Sequence, residues 1–171
     1  MAYITESRRD NGFFPNFSIA QNMAISRSLK DGGYKGAMGL FHEVDEQRTA
    51  ENQRELLALK CHSVNQNITE LSGGNQQKVL ISKWLCCRPE VIIFDEPTRG
   101  IDVGAKAEIY KVMRQLADDG KVILMVSSEL PEIITVCDRI AVFCEGRLTQ
   151  ILTNRDDMSE EEIMAWALPQ E

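Results

Sequence analysis

Short apolar runs that alternate with an amphipathic helix constrain the fold of this sequence most strongly. The runs are Val91 to Phe94, Val122 to Val126 and Ile140 to Cys144. Between the first two lies Val103 to Ala117, in which apolar residues recur at helical spacing. Continuous apolar strands joined by helices are typical of a parallel sheet that is covered on both faces. The second half of the 171-residue chain is therefore predicted to be α/β.

The region before Leu71 has a different hydropathy pattern, because short apolar segments alternate there with polar ones. Glu43 to Leu59 has the pattern of an amphipathic helix. Lys30 to Gly39 contains four glycines and is predicted to be a loop. We expect this front region to be mainly helical.

Two local signals predict the structure at the end of the chain. Glu145-Gly146 lies between the apolar run Ile140 to Cys144 and a further run, Leu148 to Leu152, which predicts a two-residue hairpin. Ser159 and Glu162 predict a capping box for a last helix, and Pro169 ends that helix.

Charge and hydropathy exclude several classes of protein. The chain has 26 acidic and 19 basic side chains, and the acids are concentrated in residues 154–171. Nucleic acid is not expected as a partner, because its binding needs clustered Lys and Arg. The longest apolar run, Ile163 to Leu168, has six residues, whereas a membrane span needs about 20. The five cysteines contain no C-x-x-C motif, which indicates reduced packing residues in a cytosolic chain.

Two adjacent carboxylates, Asp95 and Glu96, follow the apolar run Val91 to Phe94. In open parallel sheets the carboxyl ends of the strands are where ligands bind. A carboxylate pair at that edge suits Mg²⁺ in phosphate chemistry, with one acid holding the ion and its neighbour orienting water. The residues alone fit equally well a strand that ends in a solvated Asp-Glu turn.

A Ser-Gly-Gly turn, Ser72 to Gly74, precedes a run with helical apolar spacing. Such a turn presents backbone N–H groups and the positive end of the helix dipole, and can hold a phosphate. The alternative is an ordinary capped helix start, with Ser72 or Asn75 as the N-cap.

The order of these motifs produces a family resemblance. The sequence resembles the ATP-binding cassette (ABC) ATPases: Leu71 to Gln76 is similar to the signature motif, Val91 to Glu96 to Walker B, and Gly100 to Asp102 to the D-loop. Asn75 to Lys78, together with Asp95 to Gly100, is similar to the second ATP-binding half of bacterial monosaccharide importers of the ribose, galactose and allose type.

The resemblance implies a partial P-loop NTPase fold, in which a helical subdomain is followed by a parallel sheet with flanking helices. The whole chain would be one partial nucleotide-binding domain. Residues 7–80 would form the helical and signature subdomain, residues 81–153 the RecA-like α/β part, and residues 154–171 an acidic C-terminal helix and tail. Two such halves would pair head to tail around ATP.

The resemblance also implies roles for individual residues. Asp95 would hold Mg²⁺ through water, and Glu96 would polarise the attacking water. Asp102 would link the two ATP sites. Glu6 follows a short strand, Ala2 to Thr5, at the position of a magnesium-sensing glutamine, although an exposed acid near a chain end is an equal alternative. Four residues would cover the γ-phosphate of an ATP bound mainly by the opposite half: Ser72, Gly73, Gly74 and Asn75.

Two departures from the family pattern change these expectations. Ser128 stands where active cassettes carry a γ-phosphate histidine, and His42 and His62 lie elsewhere, as surface or packing residues. No G-x-x-x-x-G-K-[ST] motif occurs in the sequence, so the chain would bind free ATP weakly. We expect a cassette that lacks its leading portion.

The expected function is that of an ATP-hydrolysing segment of a sugar importer on the cytoplasmic face of the bacterial inner membrane. Its partners would be a second nucleotide-binding half, transmembrane permease subunits and, indirectly, a periplasmic sugar-binding protein. An alternative is an accessory half that hydrolyses poorly and supplies the signature motif to its partner's ATP. Cassette ATPases of chromosome maintenance or translation are disfavoured, because long heptad arms and basic extensions are missing from the sequence.

Overall fold

The computed structural model describes residues 1–7, 12–30 and 43–169, with side chains in the helix that starts at Glu43 described from residue 46 onward. The chain forms two compact units, Met1–Val126 and Ser127–Glu171. The first unit contains the strands β1 (Ala2–Ile4), β2 (Val91–Asp95) and β3 (Val122–Val126) and the helices α1 (Ile19–Lys30), α2 (Glu43–Leu56), α3 (Gly73–Leu85) and α4 (Val103–Asp118). The second contains α5 (Leu130–Val136), β4 (Arg139–Cys144), β5 (Arg147–Thr153) and α6 (Glu160–Ala167).

The sheet of the first unit is parallel, in the order β1-β2-β3. Ile4 pairs with Phe94, which pairs with Met125, so the three strands end at the same edge. The α/β prediction is thereby confirmed, including the strands expected at Val91 to Phe94 and Val122 to Val126. Helix α4 joins β2 to β3 at the predicted place.

One face of this sheet is buried and the other is open. Ile4, Ile92 and Phe94 are buried on the first face. On the second face Leu124 is 52% exposed, and its strand neighbours Val122 and Val126 are 54% and 55% exposed. The expectation that both faces are covered is therefore wrong for β3. Unbroken apolar runs favour burial on both faces, but within the described residues the elements that pack on this sheet bury one.

The helices of the first unit pack around an apolar core between α1, α2 and α3. Its fully buried members are Ile19, Met23, Ala50, Ile68 and Val79. This confirms a mainly helical front region, within the parts of it that the structure describes. The helix expected at Glu43 to Leu59 ends at Leu56. Ala58, with φ of 46°, stops it in the left-handed region. Of the loop predicted at Lys30 to Gly39, Lys30 is the last residue of α1 and the rest lies outside the described residues.

In the second unit β4 and β5 form an antiparallel hairpin. Glu145 and Gly146 both have positive φ, 49° and 77°, which is the geometry of a tight type I′ turn. The hairpin prediction is confirmed, but the inclusion of Ile140 to Cys144 in the parallel sheet is wrong. The two-residue turn folds the next strand back onto it, so its partner is local and antiparallel.

Helix α6 starts after Ser159 and ends before Pro169, as predicted, but only the Ser159 half of the expected capping box is formed. The Ser159 hydroxyl accepts a hydrogen bond from the backbone N–H of Glu162 at 3.2 Å. The Glu162 carboxylate accepts from the guanidinium of Arg155. Leu168 is the C-cap and Pro169 follows it. Among the described helices, none is long and apolar enough to cross a membrane.

Candidate functional site

The carboxylate pair lies at the C-terminal edge of the parallel sheet, where β2 ends at Asp95. Glu96 is a non-glycine residue with φ of 47°, and its N–H donates to the carbonyl of Val126 at 2.9 Å. This bond ties the turn after β2 to the last residue of the neighbouring strand. Strained backbone that is fixed by such contacts is typical of functional turns. Both carboxylates are half-buried, so this is not a fully solvated turn.

Tyr3 contacts Asp95 directly, although 92 positions separate them in sequence. The Tyr3 hydroxyl donates to Asp95 Oδ2 at 2.5 Å. This hydrogen bond raises the pKa of Tyr3 above its ordinary value, with smaller contributions from burial and from the Asp95 charge. Tyr3 was not among the residues predicted for the site. The signal for it in the sequence is strand alternation, since Tyr3 lies between Ala2 and Ile4 and must face away from them.

Glu6 reaches the same region from beyond the end of β1. Its carboxylate forms an ion pair with the guanidinium of Arg99, which lies in the turn after β2. Both side chains are exposed, so the pair contributes little to stability. Glu6 therefore lies close to the turn after β2. Arg99 is a second residue that the sequence reasoning missed.

Ser72 occupies the N-cap position of α3. Its side chain, however, accepts no hydrogen bond from a backbone N–H of the first turn. Its Oγ accepts instead from Asn75 Nδ2 at 2.9 Å. The Oδ1 atom of Asn75 accepts from the backbone N–H of Lys60, also at 2.9 Å. Asn75 thus occupies a lone pair of the Ser72 hydroxyl and not its proton. The Ser-Gly-Gly turn therefore presents a serine that can donate to an anion.

Asp102 lies at the start of α4, as the sequence predicted, and its Oδ1 caps the helix by accepting from the N–H of Ala105 at 2.9 Å. Gly74 of α3 is buried against this first turn of α4. Gly73 and Gly74 lie in the first turn of α3, directly after Ser72. The structure thus brings together the Ser-Gly-Gly turn and the start of α4.

A cluster of three charged side chains joins α3 and α4 behind the Ser-Gly-Gly turn. The ammonium of Lys78, whose side chain is 3% exposed, lies 2.9 Å from Glu108 Oε2, and that of Lys60 lies 3.0 Å from Oε1. Lys78 also donates to the carbonyl of Ala58 at 2.9 Å. The hydrogen bonds from Lys78 and then Lys60 lower the pKa of the Glu108 carboxyl. This cluster fixes the turn that supplies the Lys60 N–H to Asn75.

Ser128 belongs to the second unit and is exposed there, in a bend after β3. The neighbouring Ser127 is the more embedded of the two, since its hydroxyl accepts from the N–H of Glu129 at 3.0 Å and donates to the buried Glu132 carboxylate. Ser128 is therefore not assembled with Asp95 and Glu96 within one unit. His62 is exposed, as expected, and His42 lies outside the described residues.

The donor set at the sheet edge fits a magnesium ion bound with a nucleotide. Mg²⁺ prefers oxygen ligands and is usually held by one or two carboxylates together with phosphates and water. Asp95 and Glu96 supply carboxylate oxygens at adjacent positions of a fixed turn. The arrangement is suited to polarising a water molecule next to a metal-bound phosphate.

Solved structures with the same fold are ATP-binding cassettes. A dimeric cassette in a post-hydrolysis state bound to ADP and Pi gives a TM-score of 0.70 at 23% identity, over 90% of this chain and 63% of that chain. An ATP-binding cassette of an ABC transporter gives a TM-score of 0.74 at 20% identity, over 98% and 68%. The fold is therefore the α/β fold of ABC ATPase cassettes, of which this chain covers a part.

The family follows from the sequence comparison. A family model described as "ABC transporter" matches residues 1–99. The chain belongs to the ABC transporter family, as the motif resemblance predicted.

Curated relatives are import and transport ATP-binding proteins. The D-allose import ATP-binding protein AlsA of Escherichia coli (strain K12) is 99% identical over the whole chain, which covers 34% of that protein. A ribose import ATP-binding protein, RbsA of Bacillus cereus, is 46% identical over 98% of the chain and 33% of that protein. The L-arabinose transport ATP-binding protein AraG of Geobacillus stearothermophilus is 47% identical over 96% and 31%. The chain spans about a third of the length of these relatives.

Proposed function

We propose that this chain is the ATP-hydrolysing segment of a monosaccharide importer and that its sugar is D-allose. The observation that carries the chemistry is the Asp95-Glu96 pair on a strained turn at the open edge of the sheet. The sugar is inferred from the relative named for D-allose import, and the ribose and arabinose relatives support the broader class. The sequences of two motifs, Asn75 to Lys78 and Asp95 to Gly100, favour the second of the two ATP-binding halves of such an importer.

In this proposal Asp95 would hold Mg²⁺ through water, and Glu96 would polarise the water that attacks the γ-phosphate. Bound Mg²⁺ neutralises charge that develops on the phosphate oxygens. Glu96 suits its role because the bond from its N–H to Val126 fixes the start of its side chain. Glu6, which lies beyond the end of β1, senses whether the metal site is occupied. Its carboxylate pairs with Arg99.

The Ser-Gly-Gly turn, Ser72 to Gly74, which we call the signature turn, acts on an ATP that is bound mainly by the opposite half. Ser72 donates a hydrogen bond from its hydroxyl to the γ-phosphate, while the backbone of Gly73, Gly74 and Asn75 at the start of α3 adds the positive end of the helix dipole. Asp102 links the two sites, because it caps α4, whose first turn packs against Gly74. By its place in the sequence Ser128 corresponds to the γ-phosphate histidine of active cassettes, and it would offer one hydroxyl instead of an imidazole.

The proposed partners are a second nucleotide-binding half, transmembrane permease subunits and, through them, a periplasmic sugar-binding protein. The chain would act as a peripheral protein on the cytoplasmic face of the bacterial inner membrane. No nucleic acid enters this scheme.

The experiment that tests the proposal is Glu96→Gln in the complete ATPase, assembled with its permease. Loss of one transition-state contact typically lowers the rate by about 10² to 10³. We expect ATP turnover and D-allose uptake to fall by such a factor. Glu90→Gln is the matched control, because Glu90 is an exposed glutamate directly before the opposite end of the same strand. Near-normal turnover and uptake in Glu96→Gln would favour the accessory-half alternative, for which Ser128 in place of a histidine is the supporting observation.

A further inference from the structure

Tyr3 lies on the same face of the sheet as Asp95. Tyr3 pairs with Ile93 in the parallel register, and Asp95 is two residues further along β2. Side chains two positions apart on a strand face the same way, so Asp95 and the tyrosine share the open face. The phenol ring spans the diagonal between the two strands and ends at Asp95 Oδ2, 2.5 Å from its hydroxyl oxygen.

This bond restricts a torsion that is otherwise loose. The χ2 angle of an aspartate has a broad distribution, so a carboxylate that faces solvent samples many orientations. A hydrogen bond from a hydroxyl to an ionised carboxylate is short and among the stronger kinds. With Oδ2 engaged by Tyr3, the other oxygen, Oδ1, is presented in one direction. A carboxylate that is already oriented binds a metal-bound water with less loss of freedom.

The same bond contributes little to folding. Tyr3 is 46% exposed, and water can replace the hydroxyl when it is removed. β1 is also held by its backbone pairs with β2, by the buried side chains of Ala2 and Ile4, and by packing against α3. Removal of the Tyr3 hydroxyl should therefore leave the strand in place.

We propose that Tyr3 is a positioning residue, which orients the carboxylate of Asp95 for the divalent cation. The inference rests on the proposed function, in which Asp95 holds Mg²⁺. It extends that function to a residue of β1 that acts through Asp95.

The test is Tyr3→Phe in the complete ATPase, with Mn²⁺ in the presence of ADP as the probe. Mn²⁺ binding is followed by electron paramagnetic resonance, which does not depend on turnover. We expect the Mn²⁺ affinity to fall about five- to tenfold, the size of one lost hydrogen bond. The turnover number at saturating Mg²⁺ should stay close to that of the unchanged protein, since Asp95 is still present. Tyr110→Phe is the control, because it removes a phenol hydroxyl from α4 in the same unit.

Asp95→Asn separates the inference from the proposed function. Loss of Mn²⁺ binding in Asp95→Asn with unchanged affinity in Tyr3→Phe would overturn the role of Tyr3 alone. Unchanged Mn²⁺ binding in Asp95→Asn would overturn the proposed metal site, and the role of Tyr3 with it. A Tyr3→Phe protein with a lower melting temperature and a turnover number that Mg²⁺ does not restore would show a structural role, which also contradicts the proposal.

Discussion

Gly74 and Ala105 lie so close together that a Cβ atom on Gly74 would be 2.5 Å from the Cβ of Ala105. Only a residue without a side chain fits such a contact. Gly74 is in the first turn of α3, directly after Ser72, and Ala105 is in the first turn of α4, which Asp102 caps. The two helix starts are therefore packed directly on each other. A displacement of the signature turn is expected to displace the D-loop as well.

Gly74→Ala is expected to separate the starts of α3 and α4. The added methyl group meets a helix rather than the end of a flexible side chain, and overpacking of this kind costs about 1–3 kcal/mol. A shift of about 1 Å in a group that contacts the substrate can lower the rate about a hundredfold. We expect a loss of ATP turnover in that range in the complete ATPase, with faster hydrogen exchange at the starts of both helices.

Gly104→Ala is the matched control for this substitution. A Cβ on Gly104 would meet the Oδ1 atom of Asp102 at 3.4 Å, which is an ordinary contact. Alanine is also a better helix former than glycine by up to about 1 kcal/mol. Gly104→Ala should keep its activity and its protection from exchange. An equal loss in both variants would mean that the close approach of α3 and α4 is not what matters.

Asn75→Ala is expected to lower turnover without unfolding the protein. The Asn75 carboxamide bridges the Ser72 hydroxyl and the Lys60 N–H. Without it the hydroxyl can rotate, so ATP turnover should fall about tenfold, which is the effect of one misplaced hydrogen bond. The melting temperature should change little, because Asn75 is only half-buried. Asn65→Ala, at an exposed loop position, is the control. Wild-type turnover in Asn75→Ala would show that Ser72 needs no such support.

Glu108→Gln is expected to destabilise the first unit in a pH-dependent way. The lysines lower the pKa of Glu108 in the folded state, so its contribution is fully present above the unfolded pKa, about 4.3, and is lost as pH falls through the lower folded value. Solvent screening limits the effect to about 1 kcal/mol. The melting temperatures of Glu108→Gln and the unchanged protein should differ at neutral pH and converge as the pH falls below about 4. Glu55→Gln, an exposed glutamate of α2, serves as control. A difference that persists unchanged in acid would rule out the ion pairs as its source.

The parts of the site that depend on neighbouring residues could be predicted from the sequence. The strand that ends at Asp95 follows from its apolar run, and Asp102 at a helix start follows from its place before Val103. The hairpin follows from the turn dipeptide Glu145-Gly146 directly after the apolar run that ends at Cys144. In each case the signal and the structure lie within a few positions of each other.

The parts that the sequence did not reveal join distant segments. Tyr3 and Asp95 are 92 positions apart, and Lys60 and Glu108 are 48 apart. Such contacts depend on which strands pair and how two helices cross, and no local pattern contains that information. The parallel pairing expected for Ile140 to Cys144 is wrong for a different reason. An apolar run predicts a strand but not the direction of its partner, and the tight turn at Glu145-Gly146 makes that partner the next, antiparallel strand.

Ser72→Arg is expected to abolish ATP turnover while leaving nucleotide binding by its own half intact. Ser72 lies outside any phosphate-binding loop, and in the proposed dimer it faces the γ-phosphate of an ATP bound by the opposite half. A long cationic side chain at the start of α3 would fill the space that the phosphate needs and hold the two halves apart. Steady-state hydrolysis measures the first effect, and binding of a fluorescent ATP analogue at each half measures the second.

Two further variants separate the loss of the Ser72 hydroxyl from the effect of adding a cation. Ser72→Ala removes only the hydroxyl and should lower turnover about 10²-fold, the usual effect of one lost contact to a developing charge. Asn65→Arg places the same cation on an exposed loop of the same unit and should be nearly neutral. If Ser72→Arg kept its turnover, the signature turn would not close over ATP in this protein. If it lost nucleotide binding by its own half instead, Ser72 would serve its own site, because only a residue within that site can block it directly.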